Sequence, residues 1–354
     1  MMGAQFMLYG ANGYTGSLTA ARAVQLGLKP VIAGRNEGAI KALAEKLNLP
    51  YRIFDLTDLK ATREALQDID AVLHMAGPFS ATSAPMFEAC LETGTHYLDI
   101  TGEISVFENL FQRNVDAVKA GITAIPGVGF DVVPTDCIAA FLKEQLPDAT
   151  HLELAFGGSG SASPGTMKTM VEGLGTGSAA RINGVISHIP SGSTVKTIPF
   201  ADKERHGVAI PWGDVSTAYH STAIPNITVY MAMPQKAVKF MKATDFAGPL
   251  LQICPAQRLF KKIVEWRVKG PDEEQRARGV AQLWGQAKNA EGTTISVTMT
   301  APEGYTLTAQ SSLEAVQRVL SGDIDPGVQT PSKAFGWQFA ETLDNVVLHQ
   351  PTTT

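Results

Sequence analysis

Residues 5–16 read Gln5-Phe6-Met7-Leu8-Tyr9-Gly10-Ala11-Asn12-Gly13-Tyr14-Thr15-Gly16, and this stretch decides the fold. A short apolar run ends at Tyr9, a turn with a glycine at every third position follows, and residues 17–26 then have helical composition up to Gly27. The order is strand, tight glycine turn, helix. A phosphate approaching such a turn needs backbone N–H groups with no side chain in the way, plus the positive end of a helix dipole, and this spacing supplies both. Gly10 permits the turn, Gly13 leaves room for a pyrophosphate, and Gly16 lets the helix pack on the strand. Ala11, Asn12, Tyr14 and Thr15 complete the candidate cradle. A ligand-free loop between strand and helix has the same local pattern, so the neighbouring sequence has to discriminate.

Working outward, a second strand over 29–33 ends in Gly34-Arg35-Asn36. An NAD site places an acidic residue here to accept from the ribose 2′-hydroxyl, whereas an arginine pairs with a 2′-phosphate through forked, charge-assisted hydrogen bonds. Arg35 and Asn36 therefore favour NADP over NAD; the plain alternative is that Arg35 caps a surface loop. The pattern continues as helix 37–47, strand 51–54, helix 59–69, strand 71–75, helix 83–93 and strands 95–100 and 121–125. Strands alternating with helices imply an α/β fold, a Rossmann-type doubly wound parallel sheet. Ligands of such sheets lie off the carboxyl ends of the strands. Asp55 and Leu56 are thus placed to meet an adenine, and Ala76, Gly77 and Pro78 the centre of a dinucleotide. Tyr97, Asp99 and Asp131 fall toward the nicotinamide end and are the candidate catalytic residues. Each has a structural alternative: Asp99, like Glu103, is a possible helix cap, and Tyr97 a core aromatic with a satisfied hydroxyl. For Glu103 the structural role is preferred.

Composition bounds the rest. A chain of 354 residues is about right for two domains, on a prior of roughly 100–200 residues each. Hydrophobic residues at 44% and charged residues at 18% exclude a disordered polyelectrolyte, and a net charge of −5 does not advertise nucleic acid. A small molecule is the expected partner. Cys90, Cys137 and Cys254 are odd in number and far apart, which leaves neither a disulfide framework nor a cysteine-based zinc site, so no metal is expected and a reducing, cytoplasmic setting fits. Residues 1–9 are apolar, but no cationic stretch precedes them and a glycine turn follows at once, which suits a buried strand better than a signal peptide. No uncharged apolar run approaches the roughly 18 residues of a membrane span.

The sequence resembles the saccharopine dehydrogenase-like family, including the lipid-related trans-acting enoyl reductases. The resemblance is carried by G-A-N-G-Y-T-G at 10–16, A-G-R-N at 33–36, A-G-P-F at 76–79, T-H-Y-L-D-I-T-G-E at 95–103 and G-V-G-F-D-V-V-P-T-D at 127–136. P-G-T at 164–166, I-P-N at 224–226 and P-G-V-Q-T-P at 326–331 extend it more thinly. It implies an NAD(P)-binding Rossmann domain, a second α+β domain on a mixed sheet, and a terminal segment that rejoins the first. The expected boundaries are 1–126, 127–330 for substrate binding and dimerisation, and 331–354; a homodimer is the expected assembly.

The alternation breaks after residue 126. A helix over 135–145, strands over 151–156, 193–200 and 224–233, a hairpin over 280–287 and 293–300, and helices over 305–320 and 332–343 follow. The glycine- and serine-rich stretch 157–163, with Ser163 as a helix cap ahead of Pro164, Thr166 and Lys168, is a surface loop or a lid facing substrate. His220 reads as a polar loop residue. Residues 247–269 form a basic amphipathic stretch, read as a core-packed helix in preference to a peripheral membrane contact.

None of the tyrosines is followed four residues later by lysine, so the dyad of short-chain reductases is missing. Between 126 and 235 the cations are Lys143, Lys168, Arg181, Lys196, Lys203 and Arg205, few for a substrate bearing several carboxylates. The reading is an NADP-dependent oxidoreductase acting on a small or acyl-type enoyl, imine or carbonyl substrate. The alternatives are an amino-acid dehydrogenase of saccharopine type and a non-enzymatic NADP-binding sensor or scaffold.

Overall fold

Phe6, Met7, Leu8 and Tyr9 are all buried, as a strand covered on both faces must be. They form β1 (Phe6–Tyr9) in a computed structural model that describes residues 5–158, 177–238 and 270–354. β1 lies inside a seven-stranded sheet with β2 (Val31–Gly34), β3 (Tyr51–Ile53), β4 (Ala71–His74), β5 (His96–Asp99) and β6 (Thr123–Ile125). The last strand, β15 (Gly327–Val328), arrives from near the end of the chain. In the order β15-β6-β5-β4-β1-β2-β3 every neighbouring pair is parallel. The helices between the strands are α1 (Tyr14–Gln25), α2 (Glu37–Leu47), α3 (Leu59–Leu66), α4 (Phe79–Thr93), α5 (Ile104–Gln112) and α6 (Asn114–Ala120). Met86, Phe87 and Cys90 of α4 and Val106 and Leu110 of α5 pack with Met7, Tyr9, Val72 and Tyr97 on one face. Leu8, Ile32, Leu73 and Leu98 point the other way and are equally buried. This is the doubly wound Rossmann-type sheet.

The chain divides into two units, 1–133 with 305–335 and 134–304 with 336–354. The segment that returns to the parallel sheet therefore comes earlier than expected, at 305–335 and not 331–354. Hydrogen bonding decides the difference. Gly327 and Val328 extend the parallel sheet beside Thr123 and Ala124, whereas β16 (Val347–Leu348) and β17 (Thr352–Thr353) pair with β14 (Thr294–Pro302). The expected helix over 332–343 is a short α-helix, Pro331–Phe335, followed by a 3₁₀ turn, Trp337–Thr342.

The second unit is built on a mixed sheet in the order β10-β11-β12-β7-β13-β14-β16, with β8, β9 and β17 attached. Its strands are β7 (His151–Gly158), β8 (Ser178–Ile182), β9 (Val185–Ile189), β10 (Val195–Pro199), β11 (Glu204–Ala209), β12 (Asn226–Ala232), β13 (Val280–Lys288) and β14. β12 and β7 run parallel, and the other pairs are antiparallel. β14 alternates strictly, with Ile295, Val297, Met299 and Ala301 buried and Thr294, Ser296, Thr298 and Thr300 half-buried, the signature of a sheet packed on one face. The helix Val133–Gln145 covers the packed face: Ile138 and Leu142 lie over Gly285, where a Cβ would come within 2.3 Å of Ile138 Cγ2. The sequence reading omitted the hairpin β8–β9, strand β11 and the helix Asp214–Thr222, which carries His220, so His220 is not a loop residue. The Ser163–Lys168 stretch and the basic stretch 247–269 lie outside the described residues.

Candidate active site

The turns at the carboxyl ends of the parallel strands converge, as the topology requires. Gly10 takes φ +84°, and a Cβ on it would press on the backbone of Ala76 at 2.8 Å. At Gly16 a Cβ would fall 2.3 Å from the Gly10 carbonyl oxygen, so the first turn of α1 sits directly on the loop. Gly13 differs: the nearest atom to a Cβ there is the Gly10 oxygen at 3.2 Å, and the rest of that side is open. Gly13 is also the residue that begins α1, and no side chain caps this helix.

The neighbouring helix starts are capped from within. Asn36 Oδ1 accepts from Ala39 N–H at 3.1 Å and Asp58 Oδ1 from Ala61 N–H at 3.0 Å. Glu103 reaches back from the end of β5, its two carboxylate oxygens accepting from Phe79 N–H and Ser80 N–H, each at 2.8 Å. Pro78 cannot cap α4 with a side chain, and Glu103 takes that role. Its structural reading is correct, although the helix it caps precedes it in sequence. Of these four helices, α1 alone lacks a side-chain cap and offers its dipole to an anion.

Arg35 is exposed at the end of β2, and its charge helps hold the Asp55 carboxyl below the ordinary range, behind the two hydrogen bonds Asp55 accepts from Thr57. A Cβ at Gly34 would meet Asn12 Oδ1 at 3.0 Å, so Asn12 lies across the same strand end. Leu56 is buried; Ala76 is half-buried and Gly77 and Pro78 are exposed. The structure thus gathers the glycine turn, Asn12, Arg35 and Asp55 on one edge of the sheet. The Asn36 side chain already serves α2.

The three candidate catalytic residues separate. Tyr97 is wholly buried and its hydroxyl donates to Asp99 Oδ2 at 2.7 Å. Asp99 is equally buried, and its Oδ1 accepts from Thr101 N–H and Gly127 N–H, both at 2.9 Å. Burial raises the Asp99 carboxyl to about 6 against those hydrogen bonds, and burial followed by the Asp99 charge raises the Tyr97 hydroxyl well above its ordinary value. These two tie the end of β5 to the turn after β6 through buried hydrogen bonds. Asp131 is only partly buried and packs over Gly102, where a Cβ would meet its Oδ2 at 2.8 Å. Desolvation pushes its carboxyl up to about 7.

Sequence reasoning missed what the returning helix, Gly304–Ser321, brings to this edge. Tyr305 packs edge-on against Tyr14 of the glycine turn, ring centroids 4.9 Å apart. Thr308 Oγ1 accepts from Phe130 N–H at 3.0 Å, and Ser311 Oγ donates to the Val128 carbonyl at 2.7 Å. No local signal in 305–311 points to a cleft; a partner 178 positions away supplies it. His74 was also missed. It is buried below the Ala76–Pro78 turn with Nε2 3.0 Å from Thr82 Oγ1 and Nδ1 without a hydrogen bond, and burial lowers its pKa to about 3.

Residues 6–125 match the model of the saccharopine dehydrogenase NADP binding domain. This match covers the parallel-sheet domain, about a third of the chain. The turn geometry agrees with it: an uncapped helix start, an open position at Gly13 and an exposed arginine at the end of β2. Over its whole length the chain has the fold of an apo saccharopine dehydrogenase (L-Glu forming) from Saccharomyces cerevisiae, with a TM-score of 0.68 at 14% identity, covering 99% of this chain and 100% of that one. Similar curated proteins include a lipid droplet localized protein of Caenorhabditis elegans (26% identity, 58% of this chain and 55% of the relative). A trans-acting enoyl reductase of Mycobacterium ulcerans (26%, 49% and 46%) and a saccharopine dehydrogenase-like oxidoreductase of Bos taurus (25%, 48% and 46%) are also similar. The chain spans about half the length of these relatives.

Proposed function

We propose that the protein is an NADP-dependent oxidoreductase of saccharopine dehydrogenase-like type, moving a hydride between the cofactor and a small or acyl-type substrate with an enoyl, imine or carbonyl group. The observation that carries this reading is the uncapped α1 start behind Gly10–Gly16, one strand away from Arg35, in a domain that matches the saccharopine dehydrogenase NADP binding domain. In it, the α1 amides hold the pyrophosphate, Arg35 the 2′-phosphate and Asn12 the ribose between them. Asp55 and Leu56 border the adenine, and Ala76–Pro78 the centre of the dinucleotide. Bound NADPH would supply the hydride. The chain supplies the proton: Asp131 holds one on its carboxyl up to about pH 7 and releases it to the substrate atom that gains electron density.

Support for a weakly charged substrate comes from the second unit, where four of the described cations are engaged within the protein. Lys143 donates to the Pro147 carbonyl, Arg181 to the carbonyls of Val215 and Gly184, Lys196 to Glu153 and Arg205 to Asp202. Among the described residues no helix is long and apolar enough to cross a membrane, and Cys90 and Cys137 are buried. A cytoplasmic homodimer belongs to the same proposal and rests on the sequence reading.

The test is titration with NADPH and NADH followed by turnover on enoyl, imine and carbonyl substrates. Binding without turnover supports the sensor or scaffold; failure to bind either nucleotide ends the proposal. Asp131→Asn should lower reductive turnover by about 10²–10⁴. In the unsubstituted protein turnover is flat below about pH 7 and falls as the carboxyl loses its proton above it. Because the folded state keeps this proton to a higher pH than the unfolded chain, Asp131 also makes stability fall between about pH 4 and 7. Removing the carboxyl flattens both profiles.

A further inference from the structure

Ala71, Val72 and Leu73 of β4 are apolar and buried, as a strand covered on both faces requires. His74, which ends the strand, is equally buried, with 0% of its surface exposed. An enclosed imidazole gives up its hydration and recovers it only through hydrogen bonds, so its presence here in place of a fourth apolar residue needs a physical reason. Packing does not supply one. Phe79 meets the ring edge-on with centroids 5.3 Å apart and Tyr9 lies tilted at 5.7 Å, contacts that a phenyl ring makes as well. What a phenyl ring lacks is the contact from Nε2 to Thr82 Oγ1 at 3.0 Å.

Thr82 decides the direction of that contact. Its hydroxyl has one hydrogen, and within reach stand two groups that can only accept, the Ala76 carbonyl at 2.6 Å and the Pro78 carbonyl at 3.0 Å. The hydrogen therefore goes to the turn, and His74 Nε2–H donates to Thr82. Burial keeps the ring neutral, its pKa lowered to about 3, so this tautomer holds across the physiological pH range. A relay thus runs from His74 through Thr82 to the carbonyls of the two residues that flank Gly77. With the Ala76 carbonyl held toward Thr82, the Gly77 N–H of the same trans peptide points the opposite way, and Gly77 is exposed.

We propose that His74 is a positioning residue: through Thr82 it locks the Ala76–Pro78 turn in the orientation that presents the Gly77 N–H to the centre of the dinucleotide. The inference rests on the cofactor reading and adds to it a buried side chain that acts without touching the ligand.

Calorimetric titration with NADP and with adenosine 2′,5′-bisphosphate, which lacks the nicotinamide half, tests it. His74→Phe, which keeps the ring contacts, and Thr82→Val, which keeps the outline of a half-buried side chain, should each weaken NADP binding about three- to tenfold, the worth of one hydrogen bond. Both should leave adenosine 2′,5′-bisphosphate affinity unchanged. His74→Gln, whose amide donates from near the Nε2 position, should recover part of the loss. In the Thr82→Val background His74→Phe should cost nothing further, because the relay is already cut. A packing role alone would weaken both ligands and add in the double variant; either result would overturn the proposal, as would full NADP affinity in Thr82→Val. An unsubstituted protein that binds neither ligand would end the cofactor reading and this inference with it, an outcome distinct from every pattern among the variants.

Discussion

The two sheets place their crowded glycines differently. In the parallel sheet Gly10 and Gly16 lie beyond a strand end, where a missing Cβ lets one turn of backbone close on another and leaves amides facing outward. In the mixed sheet Gly285 lies in the middle of β13, where the same omission lets Ile138 and Leu142 sink onto the sheet. The crowding at Gly16 and Gly285 is alike, 2.3 Å in each, but one closes a turn at a strand end and the other a packed interface. Position relative to the strand end separates a functional glycine from a structural one.

The largest expected effect breaks that comparison if it is wrong. Gly16→Val should abolish NADPH binding, at least a hundredfold in affinity, because its Cβ must displace the Gly10 carbonyl and with it the turn. Gly285→Val should cost about 1–3 kcal/mol of stability by overpacking and leave NADPH affinity unchanged. Equal effects on binding, measured by fluorescence titration at a temperature where both variants are folded, would erase the distinction. Next, Arg35→Asp sharpens the view of the strand end. Loss of a charge-assisted contact worth about 1.5–3 kcal/mol predicts NADPH binding weaker by roughly ten- to a hundredfold, with NADH binding little changed. Unaltered NADPH affinity would remove Arg35 from the 2′-phosphate. The smallest effect compares helix starts. Glu103→Ala takes two hydrogen bonds from α4 and should cost about 2 kcal/mol in a denaturant melt. Asp272→Ala, which removes an exposed capping box from the helix Glu273–Arg278 of the second unit, should cost about 1 kcal/mol.

The same contrast explains what was legible. The parallel sheet could be read because short apolar runs alternate with helical segments and each early strand ends in a distinctive residue: Gly10, Arg35 and Asp55. Function within β5 could not be read. In a strand covered on both faces the residues cannot be sorted by alternation, and only the coordinates show that the Tyr97 hydroxyl is committed to Asp99. The hairpin β8–β9 carries a local signal, Asn183-Gly184 ahead of a β-branched run. The helix Asp214–Thr222 carried almost none. Its Val, Ser and Thr residues are weak helix formers, and burial of Val215, Ser216, Thr217 and Ala218 holds it in place of propensity.

By itself, then, the sequence determined the strand-turn-helix order, the parallel sheet and the preference for NADP, because each rests on residues adjacent in the chain and on the local geometry a phosphate demands. The tertiary structure alone decided that residues 305–335 return to that sheet, that Tyr305 stands against Tyr14, that Glu103 caps the helix before it, and that Asp99 is enclosed while Asp131 is not. Those features are set by burial, by hydrogen bonds and by a ring contact between residues from 23 to 291 positions apart, which no local pattern encodes.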